Sequence, residues 1–287
     1  MNDLEPLTDR QRRELEYHRE HAKQRSALLD KPVNFNIALN NNRRWWNAHW
    51  AMYTYLRNKD IKGKNVLVVG CGFGDDALYL AKYGAHVKAF DLSPESLAIA
   101  RTLAEKENLA IEFKEMPAEK LEYENNYFDF VVARDILHHV DIPKSINEIL
   151  RVSKPGAIFC FNEVYSHSIT NRIRYSDFVD KWLYPKMVNF VYGGNKPYIT
   201  EDERKLSEQD IKIITASMAK PEIEKYFNLF IGRLISDNYL FLVKLDRLLL
   251  YLLSPVAKFL GARILIAGPL NKTAQTSEIL ETPTSPT

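Results

Sequence analysis

The chain has 287 residues, 46% of them hydrophobic and 26% charged, which is an ordinary composition for a globular protein with a full core. Its 39 basic and 37 acidic side chains give a net charge of +2, and this balance argues against nucleic acid as a partner. Two cysteines are too few for a disulfide framework, and the densely charged residues 1–20 do not resemble a signal peptide. A cytoplasmic protein is therefore expected.

The N-terminal part is predicted to be helical. Residues 1–30 have the charge alternation of a solvated arm, and a second helix is predicted over 43–57. Trp46 and Trp50 lie on one stripe of that second helix, where they either dock it on a sheet or line a substrate pocket. Both interpretations stay open, and residues 1–58 are assigned to an N-terminal arm and cap.

Strands and helices alternate over residues 59–162. Short strands that alternate with helices are typical of parallel βαβ units in an open sheet. Helices are expected after the first, second and fourth strands, the last of them over Ile142–Val152. The predicted strands are Val66–Val69, His86–Phe90, Ala110–Lys114, Phe128–Ala133 and Ala157–Asn162.

The C-terminal half departs from this alternation. Residues 163–206 are rich in aromatic residues, glycine and proline, and we predict a partly helical cap insertion there. Residues 207–270 are predicted to complete the sheet, and the Thr-, Ser- and Pro-rich tail over 271–287 is predicted to be disordered. The elements expected in 207–270 are a helix over Ser207–Ser217 and strands over Glu222–Ile231 and Arg263–Ala267.

A glycine-rich turn joins the first strand to the following helix. Gly70, Gly72 and Gly74 stand at alternate positions directly after the apolar strand. Backbone N–H groups point out of such a turn, and the missing Cβ lets a ligand approach the main chain. By itself the turn is compatible with a dinucleotide, with a nucleoside that carries a sulfonium group, or with close packing alone.

Two acidic residues favour the sulfonium ligand. Asp75 stands where the dinucleotide fingerprint requires its third glycine. Asp75 and Asp76 at a helix N-terminus would repel a pyrophosphate but tolerate a cationic sulfur. Asp91, 21 residues after Gly70 at the end of the second strand, suits the hydroxyls of a ribose in either case.

Three segments of residues 64–162 stand in one order: VLVVGCGFGDDALYLAKYGAHVKAFDLSPESLAIA, YFDFVVARDILHHV and INEILRVSKPG. With these motifs, the region resembles the class I S-adenosylmethionine-dependent methyltransferases, in particular the small-molecule group of the ubiquinone and menaquinone biosynthesis type. The resemblance implies a Rossmann-like α/β fold: a seven-stranded, mostly parallel sheet with helices on both faces and an antiparallel last strand. The cofactor would lie across the carboxyl ends of strands 1, 2 and 4.

The same resemblance implies a set of cofactor-binding residues. S-adenosylmethionine would be the methyl donor and S-adenosylhomocysteine the product. Pro117 stands where the family usually has an acidic residue for the adenine amino group, so adenine recognition is expected from the neighbouring positions. The implied residues are Gly70, Cys71, Gly72, Gly74, Asp91, Leu92, Pro117, Ala118, Glu119 and Arg134.

His138 and His139 follow the fourth strand and are the candidates for a general base or a substrate anchor. The alternative is that one caps the following helix while the other packs in the core. Two adjacent histidines do not make a metal site, because neighbouring side chains diverge, and no metal is expected. Glu163, Tyr165 and His167, just past the fifth strand, are further candidates for substrate contact. His49 is interpreted as a surface or packing residue.

A second unusual stretch is the apolar segment 237–258, predicted as one helix with a single polar stripe. Charges divide its apolar runs, which are too short to cross a bilayer. The wide apolar face is either buried, as a lid or a dimer contact, or lies at a membrane interface and contacts lipid. The protein is expected to be a monomer or a homodimer, with peripheral membrane contact left open.

The expected function is methyl transfer from S-adenosylmethionine to a small or amphipathic organic acceptor, with oxygen preferred over nitrogen or carbon. The competing hypothesis from another class is a cofactor-binding regulatory subunit without catalysis. The DILHH segment and the cap argue against it, because a subunit that only binds cofactor needs neither.

Overall fold

One seven-stranded sheet forms the centre of the molecule. The computed structural model describes residues 47–183, 185–186, 204–230 and 239–272, together with residues 12–13, 15–16, 19, 29 and 33–35. The strands are β1 (Asn65–Val69), β2 (His86–Asp91), β3 (Ile111–Glu115), β4 (Phe128–Arg134), β5 (Ser153–Val164), β6 (Ile223–Phe227) and β7 (Arg263–Pro269).

The strand order is β3-β2-β1-β4-β5-β7-β6. The pairs among β1 to β5 are parallel, whereas β7 is antiparallel to both of its neighbours, β5 and β6. The predicted Rossmann-like α/β architecture with an antiparallel last strand is therefore confirmed. Parallel strands place their carboxyl ends at one edge of the sheet, and ligands bind at that edge in open α/β sheets.

Helices cover both faces of the sheet. The helices in the described part of the chain are α1 (Ala48–Asn58), α2 (Asp75–Lys82), α3 (Pro94–Lys106), α4 (Ile142–Val152), α5 (Ser168–Arg174), α6 (Glu208–Ala216), α7 (Leu240–Leu252) and α8 (Ala257–Leu260). Side chains of a strand alternate between faces, so β1 contributes to two separate hydrophobic cores. Val66 and Val68 pack with α1 to α3 on one face, and Leu67 and Val69 pack with α4 and α6 on the other.

The glycine turn after β1 has the conformation that the sequence predicts. Gly70 has a φ of 58° and Gly72 a φ of 50°, which is the left-handed region that residues with a Cβ rarely adopt. A Cβ on Gly70 would lie 2.4 Å from Cγ1 of Ile136, whereas a Cβ on Gly72 would meet no atom within 4 Å. Gly70 thus allows close packing inside the fold, and Gly72 leaves open space above the turn.

Two predicted elements have different boundaries. Strand β6 ends at Phe227 rather than Ile231, because Asn228 adopts a φ of 62° and the N–H groups of the next two residues donate to Asp246. The prediction of one continuous helix over 237–258 is wrong: α7 ends at Leu252, and a 3-10 turn over Ser254–Val256 precedes α8. Pro255 is the physical reason, since it lacks an N–H and disfavours helical geometry in the residue before it.

None of the helices in the described part of the chain has the length and apolar character that crossing a bilayer requires.

Several predictions fall on residues outside the described ranges. They include Trp46, most of the N-terminal arm, residues 187–203 of the cap insertion and residues 273–287 of the tail.

Replacing Gly70 with alanine is expected to destabilise the fold more than replacing Gly63. Both glycines have a positive φ, but a Cβ on Gly63 would meet nothing within 4 Å. Both variants pay the backbone cost of about 1–2 kcal/mol, and the contact with Ile136 adds about 1–3 kcal/mol to Gly70→Ala. Urea unfolding of the two variants measures the difference. Equal losses would show that Ile136 moves aside without cost.

Candidate active site

A cavity of about 500 Å³ opens at the carboxyl edge of the sheet. Its wall is built from the segments that follow β1, β2, β3 and β4, so the fold brings together residues from four separate parts of the sequence. Of the ten residues predicted to bind cofactor, Gly74 does not line the cavity. It lies at the start of α2, where it packs against Ala100 of α3. The nine that do line it are Gly70, Cys71, Gly72, Asp91, Leu92, Pro117, Ala118, Glu119 and Arg134.

The carboxylate of Asp91 is fixed by two backbone N–H groups. Oδ2 accepts from the N–H of Gly72 at 2.8 Å, and Oδ1 accepts from the N–H of Ser93 at 2.9 Å. The side chain is buried but lines the cavity. An ionised carboxylate has about four acceptor positions, so each oxygen keeps one for a ligand hydroxyl. This arrangement fits a vicinal diol such as that of a ribose.

The charges of the cavity wall fit a cationic ligand. Asp75, Asp76, Asp91, Glu119 and Asp135 contribute carboxylates, and Arg134 contributes a guanidinium group. Carboxylates beside the N-terminus of α2 would repel the pyrophosphate of a dinucleotide, whereas a sulfonium group is attracted to them. The open space at Gly72, the free acceptor positions of Asp91 and this excess of negative charge together fit S-adenosylmethionine.

A buried network lies beneath the cavity. Tyr53 of α1 donates its hydroxyl to Oδ1 of Asp76, and Nε of Arg134 donates to Oδ2 of the same carboxylate at 2.7 Å. Burial alone would lower the pKa of Arg134, but the carboxylate of Asp76 outweighs it and the pKa of Arg134 is raised. Arg134 therefore stays a fixed positive charge at the wall of the cavity.

A second ion pair joins the cavity to the antiparallel part of the sheet. Nη2 of Arg263, the first residue of β7, lies 2.7 Å from Oδ1 of Asp135. Burial opposes ionisation of Asp135, but Arg263 and Arg134 hold the pKa of its carboxyl below the usual value. The residue also has a φ of 55°, so the chain turns sharply at the end of β4. The pair thereby fixes this turn to β7.

The two adjacent histidines have different environments. They occupy a 3-10 turn over Leu137–His139, with ring centroids 3.9 Å apart. His138 is buried, and its Nδ1 lies 2.7 Å from Oε2 of Glu163. The other oxygen, Oε1 of Glu163, accepts from the N–H of Ile136 at 2.7 Å and of Leu137 at 2.8 Å. Of the pair, His139 lines the cavity and His138 belongs to the packing beneath it.

The other predicted substrate residues do not line this cavity. Glu163 is fully buried beneath the histidine turn, and Tyr165 is buried against Tyr226 of β6. His167 caps α5 by accepting the N–H of Ile169 at 3.2 Å. Trp50 is buried on α1 and packs against Tyr53 and Tyr79, as the docking interpretation of that helix expects.

Two further residues of this region were not predicted as part of a site. Leu15, from the segment interpreted as a solvated arm, lines the cavity. Burial, together with the positive charges of Arg134 and Arg263, lowers the pKa of His49 to about 4, so its ring is neutral at pH 7 and takes up a proton only in acid. No local pattern marks either residue, because both depend on contacts with distant parts of the chain.

A family model described as a methyltransferase domain matches residues 67–161. This part of the chain thus matches a methyltransferase domain. The matched residues run from β1 to β5 and include most of the cavity wall. The resemblance found in the sequence motifs is thus confirmed, and members of this family take their methyl group from S-adenosylmethionine.

Curated relatives of this methyltransferase domain act on different atoms. The ubiquinone biosynthesis O-methyltransferase of Hahella chejuensis is 36% identical over 134 residues, which are 42% of this chain and 56% of that protein. The norajmaline N-methyltransferase of Rauvolfia serpentina is 38% identical over 100 residues, which are 33% of this chain and 34% of that protein. The chain thus matches between a third and somewhat more than half of the length of these relatives.

Among solved structures, the PH0226 protein of Pyrococcus horikoshii OT3 is similar in fold, with a TM-score of 0.51 and 17% identity. The alignment covers 82% of this chain and 95% of that one, so the likeness extends beyond the region of the family model.

Removing the carboxylate of Glu163 is expected to destabilise the methyltransferase domain strongly. Glu163→Ala leaves two buried N–H groups and one imidazole without their acceptor, at a cost of about 3–5 kcal/mol. Glu163→Gln is the matched control, because its amide oxygen still accepts the two N–H groups and its NH₂ can face His138. Urea unfolding separates the variants. Equal losses would mean that size, rather than hydrogen bonding, determines this position.

The depressed pKa of His49 predicts a pH-dependent stability. The unfolded chain protonates this histidine near pH 6.5, whereas the folded chain keeps it neutral to about pH 4. The free energy of unfolding should therefore fall as the pH drops through this window, by about 1–3 kcal/mol more in the wild type than in His49→Gln. Denaturant titrations at several pH values measure this, with His86→Gln as the control. Parallel curves for wild type and His49→Gln would contradict it.

Proposed function

We propose that the chain binds S-adenosylmethionine in the cavity and transfers its methyl group to the hydroxyl oxygen of a small or amphipathic organic acceptor. The observation that carries the proposal is the cavity of the matched domain, in which the open glycine turn, Asp91 and His139 share one wall. The similarity to ubiquinone biosynthesis O-methyltransferases favours oxygen as the acceptor atom.

Each group has a distinct task in this proposal. When bound, S-adenosylmethionine supplies an electrophilic methyl group with a good leaving group. Asp91 holds the ribose hydroxyls, and the carboxylates around Gly72 favour the positive sulfur over a phosphate. The chain mainly has to align the acceptor with the methyl group and exclude water, which can lower the barrier by several kcal/mol, up to about 7–11.

His139 is the proposed general base or substrate anchor. A hydroxyl nucleophile must lose its proton, and an imidazole is suited to accept it near pH 7. His138 is less suited, because its Nδ1 is engaged by Glu163 in the core. We therefore assign the proton to His139, and we assign to His138 the support of the turn that presents it.

Methylation of nitrogen is the second candidate, supported by the similarity to norajmaline N-methyltransferase. A neutral amine needs no base to remove a proton before attack. Loss of His139 would then impair transfer to a phenol but leave transfer to an amine nearly unchanged, which separates the two candidates.

Cofactor binding is tested by titrating the purified chain with S-adenosylhomocysteine in a calorimeter. Asp91→Ala should weaken binding by about 10- to 100-fold, since two hydrogen bonds to a charged group are lost. Asp129→Asn, which changes a carboxylate far from the cavity at the start of β4, is the control and should bind as the wild type does. A wild-type chain that binds no S-adenosylhomocysteine would contradict the proposal.

Catalysis is tested with S-adenosylmethionine and a panel of phenols, catechols and amines. His139→Ala should lower kcat for hydroxyl acceptors by about 10²–10⁴-fold. His167→Ala, at a histidine that caps α5 away from the cavity, should change kcat by less than tenfold. If the cofactor binds but no acceptor is methylated, the regulatory-subunit hypothesis gains over the catalytic one.

A further inference from the structure

The exposed large hydrophobic side chains are concentrated in two segments. Within the described part of the chain, all fifteen of them fall in residues 169–182 or 230–256. Single exposed apolar residues are normal on a protein surface, but a concentration of this kind marks a contact surface. The segment with ten of the fifteen contains α7 and the turn that follows it.

The buried side of α7 is determined by a carboxylate. Asp246 is 4% exposed, and it accepts hydrogen bonds from the N–H groups of Leu229 at 2.9 Å and Phe230 at 2.6 Å. Leu250, one turn later, is also buried, so the two residues mark one inward face. The helix therefore turns its only acidic residue toward the protein, and a rotation would leave the N–H groups of Leu229 and Phe230 without their acceptor.

The outward face of α7 is an apolar stripe. Phe241, Leu245, Leu248 and Leu252 fall at offsets of 0, 4, 7 and 11, which is one side of an α-helix. They are 77%, 40%, 46% and 66% exposed. In a helix that packs only against a protein core, these apolar residues would face inward. In α7 they face the solvent.

The charges beside the stripe are positive. In residues 239–260, Lys244 and Lys258 are exposed and Arg247 is half-buried, where it donates to the carbonyl of Tyr226. Because Asp246 is buried, the solvent-facing charge of this segment is entirely basic. This combination of an apolar stripe with flanking lysines complements an anionic lipid surface, and it would place like charges together in a contact between two copies.

The other apolar segment adjoins this surface. Thr170 of α5 donates its hydroxyl to the carbonyl of Phe259 in α8, and the ring of His167 lies 4.5 Å from that of Phe259. Segment 169–182 carries exposed aromatic residues, among them Trp182, with Nζ of Lys186 3.8 Å from the centre of its ring, and its exposed Asp177 is paired with Lys181. Tryptophan beside lysine is typical of the boundary between lipid and water.

Both segments lie on the edge of the sheet where the cavity opens. Helix α5 follows the carboxyl end of β5, and α8 precedes the first residue of the antiparallel β7, so both connections are at that edge. We propose that α7, α8 and segment 169–182 form a membrane-docking surface that binds a bilayer rich in anionic phospholipid. This proposal does not depend on the proposed methyl transfer.

The test is sedimentation of the purified full chain with vesicles of phosphatidylcholine alone or with about one third phosphatidylserine. The chain should sediment with the anionic vesicles, and high salt should release part of it. Phe241→Ser/Leu248→Ser should lower the partition coefficient by about tenfold or more. Phe241→Leu/Leu248→Ile keeps the stripe apolar and should bind nearly as the wild type does.

A charge variant tests the lipid preference separately. Lys244→Gln/Lys258→Gln should weaken binding to anionic vesicles by about fivefold for each charge removed. Lys62→Gln/Lys64→Gln, at exposed lysines before β1 on the opposite edge, is the control and should not weaken it. Thermal melting confirms that each variant is folded.

Two outcomes would overturn the proposal. The first is that the folded wild type does not sediment with anionic vesicles. The second is that light scattering shows a lipid-free dimer that Phe241→Ser/Leu248→Ser converts to a monomer, because the apolar stripe would then be a contact between two copies. A chain that binds vesicles but no S-adenosylhomocysteine would support docking and contradict only the proposed function.

Discussion

The site depends on one buried carboxylate, that of Glu163 on β5. Its three hydrogen bonds hold the segment after β4, where the chain leaves the sheet and has no strand partner. Ile136 of that segment packs against Gly70, which joins the cofactor turn to the histidine turn. A residue of the central sheet thus supports the position of His139 at the cavity wall, although it does not line the cavity itself. The geometry of this part of the cavity wall is in this sense a property of the core.

Charge is distributed around the cavity in a way that couples separate elements. Asp76 on α2 joins Tyr53 of α1 to Arg134 of β4, and Asp135 joins β4 to Arg263 of β7. Partly buried ion pairs of this kind are weak evidence for stability, but each fixes a geometry. These contacts connect α1, α2 and β7 to the carboxyl end of β4. The elements that surround the cavity are therefore held at the same place in the fold.

The sequence predicted the parts that rest on local pattern. Apolar runs, the glycine turn and the position of Asp91 are legible because strand, turn and loop chemistry act over a few residues. Contacts between residues that are distant in the sequence cannot be recognised from a local pattern. Arg134 and Asp76 are 58 positions apart, and Glu163 and His138 are 25 positions apart. The break at Pro255 was a local signal that the apolar periodicity around it outweighed.

The histidine turn has a consequence for how its sequence can change. In a 3-10 turn, consecutive side chains are about 120° apart, and here His138 is buried whereas the neighbouring His139 lines the cavity. Residue type alone therefore does not assign a role to either histidine. The role depends on how many residues separate the histidine from the end of β4. A one-residue insertion between Arg134 and the turn would move His138 to the place of His139 and His139 to that of Val140, while leaving the dipeptide unchanged. Residue spacing in this loop is thus under tighter structural control than residue type.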